Sequence, residues 1–336
     1  MYKIKLKGNV QVSKVDQIVR GIAVDIDSGF VASGQKLPTI NEFSKDNGVS
    51  RDTIEKAYKR LRKLGYIVSN PGRGYFVLNK PAGKLAVLLI FNKLSSFKKD
   101  IYYGILAGVG KKARVDLQLH HYDPNILGEI ILRSKGKYDY YVVMPHFFSG
   151  VSKDEYLSVL KSIPTQSLVL LDKFIPELKD LHKAVYQDFR ADVYQALYSF
   201  RVKLKKYSRV IVCLPEDIHH PKEILDGIKE FCFEQKKKFT RVDRIETRSL
   251  QKGTVYIVVE EDDLARLIKK TRNEGWKIGV DIGIISYNDT VLKEVLDITV
   301  MTTDFYQMGK LLAKLLFTKE IVQYKNRFSV LQRGSL

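Results

Sequence analysis

Cysteine is nearly absent from this chain of 336 residues: only Cys213 and Cys232 occur. Two thiols exclude a disulfide framework and a thiolate metal cage. No apolar run reaches the ~20 residues that cross a bilayer. The opening stretch MYKIKLKGNV lacks the apolar core of a signal peptide. These absences point to the cytoplasm, in association with the nucleoid if DNA is the partner, and to no membrane partner. Catalytic signatures are missing too. No G-x-S-x-G occurs. The nearest approach to a dinucleotide-binding G-x-G-x-x-G is Gly104-Ile-Leu-Ala-Gly108-Val-Gly110. Its spacing is wrong and it lies within a helical pattern, so it reads as small residues permitting close helix packing. The histidines include the adjacent pairs His120-His121 and His219-His220. Neighbours on a strand face opposite ways and make poor joint metal ligands. No metal, cofactor or enzymatic activity is therefore expected.

Positive charge is abundant. Lys and Arg number 57 against 38 Asp and Glu, a formal net charge of +19. Such an excess favours an anionic partner. Residues 1–80 hold 15 basic and 7 acidic residues, a net of +8, and the remaining 256 residues carry +11. The basic density is thus about twofold higher at the N-terminus. With 45% hydrophobic and 28% charged residues, the chain is expected to fold as two or three globular units.

The N-terminal segment reads as three helices and a hairpin. Val12, Val15, Ile18, Val19, Ile22 and Ile26 recur at helical spacing over residues 12–27. Pro38 stops any preceding helix, and Thr39 with Glu42 three residues later forms a capping box for a second helix over 39–46. Asn47-Gly48 turns the chain, and Ser50 caps a third helix over 50–65 with Ile54, Ala57, Tyr58, Leu61 and Leu64 on one face. Strands at 66–69 and 75–78 flank Asn70-Pro71-Gly72-Arg73-Gly74, a hairpin tip holding glycine and a cation. This pattern is a winged helix-turn-helix, whose third helix enters the major groove. Arg51, Asp52, Thr53, Lys56, Lys59 and Arg60 lie on that helix's exposed face. Arg73 suits a phosphate or the minor groove.

Pro81, Ala82 and Gly83 read as a linker between a DNA-binding domain at 1–80 and a body at 84–336. In the body, apolar runs at 85–91, 138–144, 167–171, 209–214, 254–259 and 282–286 alternate with helical patterns. That alternation predicts an α/β fold with parallel sheets covered on both faces, in two lobes. Ligands of such folds bind beyond the C-terminal ends of strands.

The runs G-x-K-L-P-T at 34–39, V-S-R-D-T-I-E-K-A-Y at 49–58, L-R-K-L-G-Y-I at 61–67 and G-R-G-Y-F-V at 72–77 resemble the GntR family of bacterial regulators over about 65 residues. The resemblance implies DNA contacts by Arg51 and Thr53 and a backbone approach by Gly72. Lys36, Thr39, Asn41, Ser50, Asp52, Lys56 and Arg73 complete the candidate DNA-binding set. Asn41 and Glu55 stand where many members carry Arg, which alters the expected operator rather than DNA binding itself.

The runs D-D-L-A at 262–265, G-W-K-I-G-V-D-I-G-I-I-S-Y-N-D at 275–289 and T-T-D-F-Y-Q-M-G at 302–309 resemble the effector domain of LacI/GalR-type repressors and periplasmic sugar-binding proteins. The resemblance implies a carbohydrate in a cleft between lobes. Candidate ligand residues are Phe91 and Asn92 after the first strand, His146 and Phe147 after the apolar run 138–144, and Asp188 and Arg190 at the first crossover. Lys222, Glu261, Asn288 and Asp289 complete the set. In relatives an Asp contacts sugar hydroxyls at the place of Asn288, and an amide can pair with a hydroxyl in both directions. Helices at about 101–113 and 304–317 are expected to contribute to a homodimer binding a two-fold operator. A DNA-binding regulator whose body is an enzyme, or senses a metabolite other than a sugar, is the alternative.

Overall fold

A computed structural model describes residue 4 and residues 13–27, 30–78, 84–179, 181–215, 220–245, 249–318 and 320–336. The proposed linker 81–83 and the expected helix start at Val12 lie outside these residues.

The N-terminal elements are α1 (Lys14–Asp27), α2 (Ile40–Asn47), α3 (Arg51–Lys63), β1 (Ile67–Asn70) and β2 (Gly74–Val77). The starts of α2 and α3 and the end of α2 fall where local devices fix them, while α3 ends at Lys63 and the two strands are each shifted by one residue from 66–69 and 75–78. The Thr39 hydroxyl accepts from the Glu42 N–H while the Glu42 carboxylate accepts from the Thr39 N–H, so two orphan donors at the α2 start are satisfied. Gly48 ends α2 in the left-handed region at φ 60°. Ser50 caps α3. β1 and β2 pair antiparallel, Ile67 opposite Val77 and Asn70 opposite Gly74. Ile18, Ile22, Phe43, Ile54, Tyr58, Leu61 and Ile67 are buried together. Tyr58 is the anchor: its ring meets Phe43 and Tyr75 edge-on, and its hydroxyl donates to the Pro38 carbonyl at 2.9 Å.

The body continues with β3 (Leu85–Phe91), α4 (Ser96–Val109), β4 (Ala113–Leu119), α5 (Pro124–Ser134), β5 (Tyr140–Val143), α6 (Lys153–Lys161), β6 (Leu168–Lys173) and β7 (Lys183–Gln187). Next come α7 (Phe189–Ser199), α8 (Arg201–Leu204), β8 (Arg209–Cys213), α9 (Glu223–Glu234), β9 (Lys238–Val242), β10 (Thr254–Val258) and α10 (Glu261–Asn273). The chain ends with β11 (Ile282–Tyr287), α11 (Val291–Val295), β12 (Thr299–Thr303), α12 (Phe305–Leu316), β13 (Gln323–Lys325) and β14 (Phe328–Leu331). Among the described residues the body strands form two sheets of six, ordered β13-β7-β6-β5-β3-β4 and β14-β12-β11-β10-β8-β9. Pairing within the second sheet is parallel from β9 to β12, and β14 joins antiparallel. The chain changes sheet after β7, after β12 and after β13. The architecture is therefore a winged helix-turn-helix followed by two parallel-sheet lobes, as the patterning predicts.

All six apolar runs are strands: β3, β5, β6, β8, β10 and β11. Among the described residues, six further body strands carry no such run. β4, β9, β13 and β14 lie at sheet edges, where one flank is exposed and the sequence stays mixed. β7 and β12 are interior but read KAVYQ and TVMTT.

The described residues form two compact units. One takes in the chain up to Val87 together with Lys111–Arg114 and Ile131–Asp139. The other takes in Leu88–Gly110, Val115–Ile130 and Tyr140–Leu336. Within the second, α4 and α12 pack in near-backbone contact. A β-carbon on Gly104 would stand 2.2 Å from the Tyr306 carbonyl oxygen, and one on Gly309 2.1 Å from that of Ile101. The Gly104–Gly110 run thus serves close helix packing.

Candidate DNA interface and ligand cleft

The first candidate site is the exposed face of the N-terminal domain. Asn41 on α2 and Arg51, Asp52, Lys56, Lys59 and Arg60 on α3 are exposed, as are Gly72 and Arg73 at the hairpin tip. Thr39 and Ser50 sit at the two helix N-termini, where N–H groups favour phosphate. The Ser50 and Thr53 hydroxyls hydrogen-bond each other at 2.7 Å, so Thr53 is held against the cap of its own helix. Asp52 pairs with Lys56 at 2.7 Å and raises the Lys56 pKa. Arg60 bonds Asp16 at 2.5 Å and ties α3 to α1. Gly72 and Gly74 at φ 72° and 99° shape the tip, and the Arg73 N–H donates to the Asn70 carbonyl at 3.0 Å. Lys36 bridges to Phe76 as a short extension of the hairpin, its side chain beside Gly74. The ten candidates thus occupy the two helix starts and the wing of one small domain.

The second candidate site is a cleft of about 410 Å³ in the body, between the C-terminal ends of both sheets. Among the expected ligand residues, Asn92, His146, Glu261 and Asn288 line it. The others sit elsewhere for visible reasons. Phe91 is fully buried in β3. Phe147 lies between the His120 ring and the Tyr156 ring, stacked on the latter at 5.1 Å. Asp188 caps α7 through the Ala191 N–H, and Arg190 pairs with Glu230 at 2.9 Å. Lys222 is exposed at the start of α9. Asp289 holds Arg333 in a bidentate pair at 2.8 and 2.9 Å.

The cleft also recruits residues that the strand-end rule did not single out, including Lys98, Tyr122, Asp172, Gln187, His220 and Lys293. On one wall, His146 Nε2 contacts Asp172 Oδ2 at 2.8 Å. A carboxylate only accepts, so Nε2 carries the hydrogen. Burial holds His146 below its ordinary pKa, and although burial opposes it, the bond from His146 keeps Asp172 low, aided by Lys98 and Gln187. Gln187 Nε2 donates to the second Asp172 oxygen and the Thr303 hydroxyl donates to Gln187 Oε1, each at 2.6 Å. His146, Asp172, Gln187 and Thr303 therefore form one buried chain reaching the ends of β7 and β12, from which two of the three interlobe connections depart. Asp172 itself adopts φ 77°. Lys98 donates to the Asn92 side chain, and burial lowers its pKa to about 8.

On the other wall, His220 meets Glu260 at 2.8 Å and holds its carboxyl below the usual range. Lys293 donates to the Tyr287 and Asn288 carbonyls at 2.8 Å each, and burial lowers its pKa to about 8. These bonds fix Asn288 in the left-handed region at φ 59°. Two buried polar atoms of this wall have no hydrogen-bond partner among the described residues, Asn288 Oδ1 and the Tyr287 hydroxyl. Buried polar groups without partners cost free energy, so a ligand supplying hydroxyls would satisfy them. Phe97 and Phe305 add an apolar surface, their rings 5.1 Å apart.

Comparison with known proteins bears on both parts. Residues 14–77 match the family model "Bacterial regulatory proteins, gntR family", so the N-terminal segment is a GntR-type helix-turn-helix domain. The chain is 36% identical over 61 residues to the uncharacterized HTH-type transcriptional regulator YjiR of Escherichia coli, covering 18% of this chain and 13% of that one. It is 33% identical over 90 residues to the HTH-type transcriptional regulator TreR of Bacillus subtilis, covering 27% and 36%. The chain thus spans about an eighth to a third of the length of these curated relatives. A LacI family transcriptional regulator from Enterococcus faecium, solved with bound ribose, superposes with a TM-score of 0.58 at 17% identity, over 74% of this chain and 98% of that one. The body has the fold of LacI-type regulators.

Proposed function

We propose that the protein is a ligand-responsive transcription regulator that binds operator DNA through its winged helix and senses a small carbohydrate in the cleft of its body. Arg51, Thr53, Asn41 and Lys56 read or hold the major groove in this account. Gly72, Arg73 and Lys36 approach the backbone at the wing, and Thr39, Ser50 and Asp52 organise the helix starts. The protein works as a homodimer on a two-fold operator, as a repressor, in the cytoplasm.

The observation that carries the sensing role is the pair of buried groups without a partner among the described residues, Asn288 Oδ1 and the Tyr287 hydroxyl, on a cleft that also offers Asn92, His146, Glu261 and an aromatic surface. A few placed polar groups beside an apolar face is how ring hydroxyls and ring faces are recognised together. The ribose held by a protein of the same fold supports this ligand class. A panel of mono- and disaccharides scored by thermal shift tests it, since a ligand of the folded state raises the melting temperature. At least one sugar is expected to do so, and Asn288→Ala is expected to abolish the shift. A flat response across the panel would leave a non-sugar metabolite as the reading.

A further inference from the structure

We propose that the body carries a second DNA-backbone site of its own, a basic collar that extends the contact made by the winged helix. Lys84 immediately precedes β3. Lys111, Lys112 and Arg114 stand at the entry to β4, and Arg133, Lys135 and Lys137 lead from the end of α5 towards β5. All seven are exposed. Residue 84 with the segments 111–114 and 131–139 is 14 residues holding seven cations and one acid, Asp139. That acid accepts a hydrogen bond from the Ala86 N–H at 2.8 Å.

The topology gathers these cations. β5, β3 and β4 are consecutive neighbours in their sheet. Asp139, just before β5, donates its N–H to Ala86 at the start of β3, so these two strand starts lie side by side. The collar segments also belong to the same compact unit as the winged helix. Gly136, between Lys135 and Lys137, lies against the ring of Tyr66 just before β1: a β-carbon there would stand 2.2 Å from its hydroxyl. The collar is therefore continuous with the domain that the proposed function puts on DNA.

A surface with so large an excess of exposed cations suits a polyanion read by charge rather than by sequence. Duplex DNA flanking the operator supplies that chemistry, and the contact adds affinity without base specificity. This inference rests on the DNA-binding reading of the winged helix.

The test is the salt dependence of binding to a mixed-sequence duplex of about 40 bp, measured by fluorescence anisotropy between about 50 and 200 mM salt. The full chain is compared with the variant Lys84→Gln/Lys111→Gln/Lys135→Gln/Lys137→Gln and with the corresponding four Lys→Arg changes. Each neutralised phosphate contact contributes about 0.9 to the slope of log K against log salt. The Gln variant is expected to lose roughly 2–4 from that slope and to bind about 10–100-fold more weakly near 100 mM salt. The Arg variant is expected to match the wild type, and thermal melting confirms that each variant is folded. An unchanged slope in the Gln variant, with binding still lost in Arg51→Ala, overturns the collar and leaves the winged helix standing. Failure of the wild type to bind duplex DNA overturns both. If the wild type, but not the Gln variant, pelleted with phosphatidylserine vesicles while the DNA slope stayed unchanged, the collar would belong to a membrane surface and the proposal would fall.

Discussion

The N-terminal domain and the cleft hold their polar groups in opposite ways. In the first, the caps and pairs at the helix starts join residues three or four apart, as in Thr39 with Glu42, Ser50 with Thr53 and Lys56 with Asp52, and these side chains stay exposed or half-buried. In the cleft, the bonds join distant segments: His146 to Asp172, Gln187 to Thr303 and His220 to Glu260. On the proposed reading, the exposed set reorganises on a polyanion with an affinity set by charge, and the preorganised buried set has an affinity set by which polar atoms a ligand completes. A surface that meets a repeating backbone tolerates the first arrangement. A pocket that must reject near-identical small molecules needs the second.

The largest effect expected from breaking this contrast is in the small domain, whose short elements depend on one anchor. Tyr58→Ala removes the ring packed between Phe43 and Tyr75 and the bond to Pro38. It is expected to cost about 3–5 kcal/mol, read by chemical denaturation of the full chain with far-ultraviolet circular dichroism. A loss below about 1 kcal/mol would mean that Tyr58 is not the anchor.

The next effect comes from His120, one of the buried histidines of the body. His120 is fully buried, its Nε2 bonded to the Met144 carbonyl at 3.0 Å, and burial depresses its pKa to about 4. The unfolded chain takes up a proton at this histidine near pH 6.5, whereas the folded chain does so only near 4. The stability it contributes is therefore present above the unfolded value and is lost as pH falls from 6.5 towards 4. Between pH 7 and 5 the loss is about 2 kcal/mol. Denaturation at the two pH values should show that slope, and His120→Gln should flatten it. An equal slope in the variant would contradict the assignment.

The smallest effect sharpens the exposed side of the comparison. Asp52→Asn frees Lys56 and removes an acid from the face offered to DNA. Duplex affinity in anisotropy titrations should rise a few-fold, and a fall would show that Asp52 itself makes a needed contact.

The same contrast governs what could be read from the sequence. The caps, the turn and the wing of the small domain each lie within a few residues of their partners, so helix starts, turn and wing are legible between 34 and 77, whereas the Arg60–Asp16 and Tyr58–Pro38 bonds, which join distant residues, are not. In the body, residues that follow apolar runs gave Asn92, His146, Glu261 and Asn288. Applied to the run 167–171, the same rule points to Asp172, which it was not used to select. Gln187 was harder to find because β7 reads KAVYQ and offers no continuous apolar run to end. Lys98 and Lys293 carry no local signal, since each is a lysine on a helix whose burial comes only from the tertiary fold. Phe91, Asp188 and Arg190 sit near strand ends as expected, but the core, a helix cap and Glu230 engage them.

The central claim is that the cleft and the winged helix act on one equilibrium. It is tested by titrating duplex DNA against the full chain with and without a saturating sugar found by thermal shift, and then the sugar with and without DNA. The account predicts that each ligand changes the affinity of the other by the same factor, roughly 5–150-fold. Two sugar-independent DNA isotherms, with the sugar demonstrably bound in the cleft, would contradict it.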